Sequence, residues 1–420
     1  MGTPVVTPIP ENEPMQALIK SLMEPLVLKR CVLPSRIIRS ATYEGMADGE
    51  GIPQPGMASL YMDMVWDTPG TLITGICAVS REGRTMHPGQ AAIWDDSLIA
   101  PWRSVVETVR RASPGTKLFM QLAHAGRQTL KRVTKLPVKG AGVKTCGSFR
   151  QMTRPMSEAD ARGAIADFAA AARRAMVAGF DGVQLHAAHG YLIHQFLSPQ
   201  TNSRRNIFKD KGLFLEETVE AVRAACGPEF PVLLKVSWAD DRGLTPRDIL
   251  PAVARVADEL DAVEVSYGSM EVPLNIFRGE FPMQAALAVN PCLKVLPWPL
   301  KLIWKHFVFP RKREEFKPFT HCYNLPGAKV LSDSLSIPII PVGGIHNLAD
   351  MRQCLEEGFP AVALSRPFVA EPDLLPRLAR GDWERSRCIV CNMCAIHCDS
   401  NEGLRCYRPR AIHYGLGERR

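Results

Sequence analysis

A (β/α)8 barrel is the fold class predicted from the 420-residue sequence, and three observations predict it. Short apolar runs rich in β-branched residues alternate with helical patterns. Eight such runs can be counted. No G-x-G-x-x-G turn follows an early one, which weakens the doubly wound alternative. The composition, 46% hydrophobic and 22% charged, is that of a globular chain with a large core. It excludes disorder, collagen and coiled coil.

Taken in order, strands are expected over 36–41, 71–79, 117–122, 182–186, 232–237, 262–266, 337–342 and 361–364. The clearest helices between them cover 157–178, 213–226, 247–259 and 348–357. Ser157 with Asp160 reads as an N-cap, and Gly179 as a stop. The barrel is expected over 25–379, behind an N-terminal segment 1–24. Residues 268–324 are far too long for a βα loop of about 2–6 residues. This insertion carries the apolar, basic piece CLKVLPWPLKLIWKHFVFP. Three readings stand for it: a substrate lid, a solvated insertion with its own apolar cluster, or a membrane-surface attachment, which its prolines count against. Residues 380–420 form a cysteine-rich tail.

The net charge is +8, concentrated in the insertion and the tail. No nucleic-acid-binding signature accompanies it, so nucleic acid is not expected as a partner. No run reaches the roughly 18 apolar residues of a membrane span. The first twenty residues lack the apolar stretch of a secretory signal, so a cytoplasmic protein is expected. Twelve cysteines are present. Seven are scattered, at 31, 77, 146, 226, 292, 322 and 354. Five crowd between Cys388 and Cys406 and read as metal ligands rather than a disulfide framework.

The segment GFDGVQLHAAHGYLIHQFLSPQTNSRR carries the chemistry. His186 ends the fourth strand, where barrels place catalytic groups. His189 and Tyr191 follow. Two imidazoles can donate paired hydrogen bonds to one substrate oxygen, and a phenol can deliver a proton to carbon. Taken alone, H-x-x-H also fits a metal pair or two structural loop histidines. His194 reads as a packing residue. The Gly343–Gly344 turn after strand seven lets backbone N–H groups approach an anion, at the usual phosphate site of a barrel.

This stretch resembles the central motif of the old yellow enzyme family of FMN-dependent ene-reductases, within the NADH:flavin oxidoreductases. PSRIIRSATYEGMAD, KLFMQLAHAGRQ, IPIIPVGGI and ALSRPFVAEPDL match in the same order, so the resemblance runs from Pro25 to Glu371. It implies FMN across the C-terminal mouth of the barrel and NADH or NADPH as reductant. It implies that Ser40, Ala41, Thr42, Gly75, Ile76 and Gln121 contact the flavin ring. Gly343, Gly344, Ser365 and Arg366 would hold the phosphate. His186 and His189 would bind the carbonyl oxygen of an unsaturated carbonyl substrate, and Tyr191 would protonate its α-carbon. Three positions depart from the family pattern. Lys235 stands where arginine is usual beside the flavin, keeping the charge without the planar fork. Ser365 replaces a glycine of the phosphate clamp. Tyr43 occupies a flavin-tuning position where the trimethylamine dehydrogenase branch links its flavin through cysteine, so dissociable FMN is expected.

The tail has the spacing C-x2-C-x2-C-x11-C over Cys388, Cys391, Cys394 and Cys406, with Cys398 inside. Consecutive x2 steps suit one corner of a [4Fe–4S] cluster better than zinc, which prefers two separated C-x2-C pairs. Zinc and free thiols remain the alternatives. The tail is similar to that of the trimethylamine dehydrogenase and 2,4-dienoyl-CoA reductase branch, whose chains continue into a second flavin-binding region. Here a separate electron-transfer protein would be the partner, or the cluster would be structural. The expected activity is reduction of an activated C=C bond. An amine dehydrogenase or demethylase, or an electron-transfer flavoprotein subunit, is the alternative, and association into homo-oligomers is open.

Overall fold

Eight parallel strands surround one axis: β1 (Ile37–Arg39), β2 (Thr71–Ile73), β3 (Lys117–Ala123), β4 (Gly182–Ala187), β5 (Val232–Ser237), β6 (Ala262–Ser266), β7 (Ile339–Pro341) and β8 (Val362–Leu364). The computed structural model describes residues 13–290 and 293–408. Cys292, the first half of the segment expected before the barrel, and the basic end from 409 lie outside the described residues. The hydrogen-bonded order is β7-β6-β5-β4-β3-β2-β1-β8, and a parallel bridge from Val342 to Ala363 brings β7 against β8. The strands therefore form a nearly closed barrel of the expected class.

All eight expected strands are present. The second is shorter than expected and splits. Its continuation, Cys77–Ala78, pairs separately with β3. The physical reason lies between the pieces, where the Gly75 N–H turns to the Glu44 carboxylate at 2.7 Å instead of extending a ladder. Strands buried on both sides read as continuous apolar runs, and GVQLHA, VLLKVS and AVEVS are buried throughout. The helix Glu158–Ala178 starts from a capping box of Ser157 and Asp160 and stops at Gly179, with φ +97°. Such a cap contributes about 1 kcal/mol.

One apolar cluster fills the space between strands and helices. A second, with Leu33, Ile38, Phe119, Leu233 and Ile340, fills the barrel interior. The hairpin Leu26–Val27 and Val32–Leu33 adds Leu26, Leu28 and Leu33 to that interior. Its Arg30 bonds Pro228, Asp258 and Asp261, just before β5 and β6. The hairpin thus closes the N-terminal end of the barrel and leaves the C-terminal end for a site.

Two features cover that end. The insertion is not a bare loop: it carries the short helices Leu274–Phe277, Met283–Val289, Trp298–Ile303 and Phe309–Arg313. The tail docks on it. Asn392 donates to the carbonyls of Arg278 and Glu280 at 3.1 and 2.9 Å, and the Glu280 N–H donates to Val390. Gly279, at φ +117°, permits this approach; a Cβ there would lie 2.3 Å from the Val390 carbonyl oxygen.

Candidate active site

The β4 ladder places His186 at the barrel mouth, level with Lys235 of β5. After β4 the chain turns sharply. His189 sits at φ +60°, held by its N–H to Ser237 Oγ at 3.0 Å, while its Nε2 shares a hydrogen bond with Ser266 Oγ at 2.8 Å. Gly190 follows at φ +80°, and a Cβ there would strike the Gln128 side chain. Tyr191 is then the N-cap of the helix Leu192–Leu197. The turn collects three rings: His186 lies 5.0 Å from His189 and 4.9 Å from Tyr191, centroid to centroid. His186 Nδ1 is buried with no hydrogen-bond partner among the described residues. A buried polar atom left open in this way needs a partner, a water or a ligand.

These rings line a cavity of about 280 Å³. Its wall also includes Ala41, Thr42, Tyr43, Ile76, Gln121 and Lys235 from the barrel, Ile276, Phe277 and Asn290 from the insertion, and Cys394 and Cys398 from the tail. An adjoining cavity of about 80 Å³ runs on to Ser40, Gly343, Gly344, Ser365 and Arg366. The two share Ala41, His189, Lys235, Ile276, Phe277, Ser365 and Arg366, which makes one elongated site. Gly75 alone of the expected flavin contacts lines neither. It stands behind the wall, against Glu44 and Thr42.

A polar network forms the floor. Lys235 Nζ donates to Glu264 Oε1 at 3.0 Å and to Ser40 Oγ at 2.9 Å. Ser40 Oγ donates to the same carboxylate oxygen at 2.5 Å. Gln184 Nε2 reaches Glu264 Oε2 at 2.7 Å, and Gln121 Nε2 reaches Gln184 at 2.6 Å. All five side chains are buried. Glu264 and Gln184 were not singled out from sequence, although each is a polar residue set among buried apolar ones, in AVEVS and GVQLH. Their partners cannot be read from that pattern.

The far end has the features of an anion cradle. The N–H groups of Gly343, Gly344 and Ile345 find no acceptor among the described residues. Added Cβ atoms at the two glycines would lie 2.6 Å from neighbouring atoms, those of Tyr323 and Asn324 or the backbone of Thr320 and Cys322. Ser365 is accommodated because its hydroxyl shares a 2.8 Å hydrogen bond with Thr42 Oγ1. Arg366 lines the cradle, but its guanidinium also donates to the carbonyls of Phe277 and Arg278 and to Asn392 Oδ1 at 2.6–2.8 Å. It therefore ties the insertion and the tail to the barrel rim. These residues fit FMN: open backbone donors at one end, a buried lysine and amides under the middle, and imidazoles with a phenol over the other end.

Burial sets the protonation states. It holds His186 and His189 well below the usual histidine value, aided by the nearby Lys235 charge. Both rings are neutral at pH 7. Burial, with Cys398 nearby, pushes the Tyr191 phenol above its usual 10. Other buried histidines behave alike: His124 is lowered from 6.5 to about 4 and His346 to about 3. In each case the unfolded chain takes up a proton first as pH falls. Stability is therefore full above pH 6.5 and is lost from there down toward the folded values. Urea unfolding should show a loss on the order of 3 kcal/mol between pH 6.5 and 4 from His124 alone. His124→Gln should flatten that slope; an unchanged slope would refute the assignment.

The cysteines gather at the tail. Cys388, Cys391 and Cys406 all lie near enough for their charges to act on Cys394, whose thiol is pushed up to about 12, chiefly by burial. Among the described residues, no group of three His, Cys, Asp or Glu side chains converges tightly enough to hold a single metal ion. Asp399 ties the tail down through His87 at 2.9 Å and Asn290 at 2.6 Å.

The site thus runs from an anion cradle to a pair of imidazoles at the C-terminal mouth of a (β/α)8 barrel. A model of the NADH:flavin oxidoreductase / NADH oxidase family matches residues 21–268, more than half of the sequence, and the chain belongs to that family. A 4,4'-dithiodibutanoate disulfide reductase of Rhodococcus erythropolis is 27% identical over 384 residues, covering 89% of this chain and 92% of the relative. An NADPH dehydrogenase of Clostridium acetobutylicum is 28% identical over 279 residues, covering 64% and 81%. The structure of an old yellow enzyme homologue from Zymomonas mobilis superimposes with a TM-score of 0.64 at 22% identity, covering 88% and 95%. The protein is thus an FMN-dependent NAD(P)H oxidoreductase. No helix among the described residues is long and apolar enough to cross a membrane.

Proposed function

We propose that the enzyme reduces a C=C bond conjugated to a carbonyl, using NADH or NADPH. The observation that carries this reading is the His186–His189–Tyr191 cluster, with an unpartnered Nδ1 on His186 and two neutral imidazoles. Bound FMN would supply the hydride to the β-carbon. His186 and His189 would donate hydrogen bonds to the carbonyl oxygen and draw electron density from the alkene. Tyr191, kept protonated by burial, would pass its proton to the α-carbon. Ser266 and Ser237 would hold His189 in place. Ser40, Ala41, Thr42, Ile76, Gln121 and Lys235 would contact the flavin ring, with Gly75 shaping the wall from behind. Gly343, Gly344, Ser365 and Arg366 would hold the phosphate.

Disulfide reduction is the second reading. It is favoured by the Rhodococcus relative's activity and by the Cys398 thiol in the cavity wall. The test is to reduce the enzyme anaerobically with NADPH, mix it with a cyclic enone or a disulfide, and follow flavin reoxidation and product. Saturated ketone at a rate matching reoxidation supports the first reading. Reoxidation by the disulfide alone overturns it.

The tail would hold a [4Fe–4S] cluster on Cys388, Cys391, Cys394 and Cys406. A four-iron cubane spreads its thiolates around a cube, wider than the shell of one zinc ion, and the consecutive x2 spacing of Cys388, Cys391 and Cys394 suits it. A separate electron-transfer protein would exchange electrons there. Protein purified without oxygen should contain about four irons and four sulfides per chain, the stoichiometry of a cubane. Cys406→Ser should lose them, while Cys398→Ser keeps them. Zinc in place of iron would refute the cluster and leave the reductase standing.

A further inference from the structure

The second half of the insertion is built differently from the first. Residues Met270–Asn290 supply part of the active-site wall. Beyond them, the helices Trp298–Ile303 and Phe309–Arg313 are joined by the π turn Trp304–Val308. The sequence suggested that prolines would break any such run. Pro299 instead stands in the first turn of the run, where the missing N–H costs nothing, and Pro310 follows directly on the π turn. The π turn brings Trp304 and Phe309, five residues apart, to one side with rings 5.5 Å apart. There they pack on Phe281, which also meets Phe316.

That inward cluster leaves a second set of large apolar side chains facing out. Trp298 is 72% exposed, Phe307 69% and Ile303 49%. Val295, Leu300 and Leu302 are exposed as well. A group of exposed large apolar side chains on one short segment marks an interaction site. The basic residues beside it decide the partner. Seven Lys or Arg and two Glu lie between Lys294 and Lys317. Both acidic residues fall late, at 314 and 315, and Glu315 is engaged by Arg242. Lys294, Lys301, Lys305, Arg311, Lys312 and Arg313 have no acidic partner among the described residues. Lys305, His306 and Arg313 border an open groove of about 590 Å³ with Met283, Phe309, Pro310 and the single carboxylate of Glu314.

We propose that this face binds an anionic bilayer surface, with Trp298, Ile303 and Phe307 entering the headgroup–acyl boundary and the unpaired cations meeting lipid phosphates. Short amphipathic elements with aromatic and aliphatic residues on one side and Lys or Arg around them bind in this way without spanning. A protein partner of the same charge preference would need an apolar acidic counterpart; the bilayer supplies both chemistries in one surface. Because the same insertion walls the active site, binding would set the mouth of the cavity close to membrane-dissolved substrates.

The test uses the FMN-loaded full chain and sedimentation with phosphatidylcholine vesicles, with and without phosphatidylglycerol. Binding is expected only with the anionic lipid, and should weaken with salt. It should be accompanied by a blue shift of tryptophan emission that Trp298→Ser removes. Trp298→Ser/Phe307→Ser should lower partitioning at least tenfold. Lys305→Glu/Lys312→Glu should lower it by roughly an order of magnitude or more, since each basic residue near such a surface contributes roughly fivefold. Flavin content and turnover of a water-soluble enone should stay unchanged, which controls for folding. Absence of binding to anionic vesicles at low salt overturns the proposal. So does a stable dimer that Trp298→Ser/Phe307→Ser dissociates, because the face would then be a contact between two copies.

Discussion

Tyr191→Phe should slow the oxidative half-reaction with an enone by roughly 10²–10⁴-fold, the usual contribution of a positioned general acid. Flavin reduction by NADPH should change little, because that half-reaction needs no proton from the phenol. Stopped-flow measurement separates the two. Phenylalanine keeps the ring that packs 4.9 Å from His186, so the loss isolates the hydroxyl. The wild-type oxidative rate should show no alkaline decline attributable to Tyr191 until above its usual value of 10, since burial favours the neutral phenol. A Tyr191→Phe enzyme that turns over enone at the wild-type rate would remove Tyr191 from the mechanism. An equal fall in both half-reactions would point to a disturbed flavin site instead.

Lys235→Met should have the largest effect on stability. The Lys235–Glu264 pair is almost wholly buried. Removing one partner of such a pair leaves an uncompensated charge at a cost of about 3 kcal/mol. Glu264 would keep Ser40 and Gln184 as donors, which moderates the loss without cancelling it. Lys235→Met/Glu264→Gln should recover at least half of it, since the amide needs no counter-charge. Urea unfolding of the flavin-free protein measures both. A single variant as stable as wild type, or a double variant with simply additive losses, would show that the pair is not the linchpin of the barrel floor. FMN should also bind more weakly to Lys235→Met, as its proposed place at the flavin edge requires.

Not every residue of the site was equally legible beforehand. His186, His189, Tyr191, Gly343 and Gly344 stood out because a strand end, a left-handed turn and a donor-rich Gly-Gly turn leave local marks. The x2 spacing of Cys388, Cys391 and Cys394 is local too. Glu264 and Gln184 carried only a faint mark. Gly75 was expected to contact the flavin ring and lies behind the cavity wall, where Glu44 takes its amide. Arg366 was expected to hold a phosphate, and its donors also reach Phe277, Arg278 and Asn392.

The alternation of strand and helix, with turn residues at its joints, determined the barrel from sequence alone, because periodicity and capping are properties of neighbouring residues. The placement of the reactive rings at one end followed from their position after β4. Only the tertiary structure decided what the added segments do. It seated the tail on the insertion through Asn392 and Gly279, made both part of the cavity wall, and divided the aromatic residues of the insertion into an inward cluster and an outward face. Those outcomes depend on contacts between segments about a hundred residues apart, such as Asn392 with Arg278, and on one π turn whose effect is to rotate side chains. Neither leaves a pattern in the order of residues.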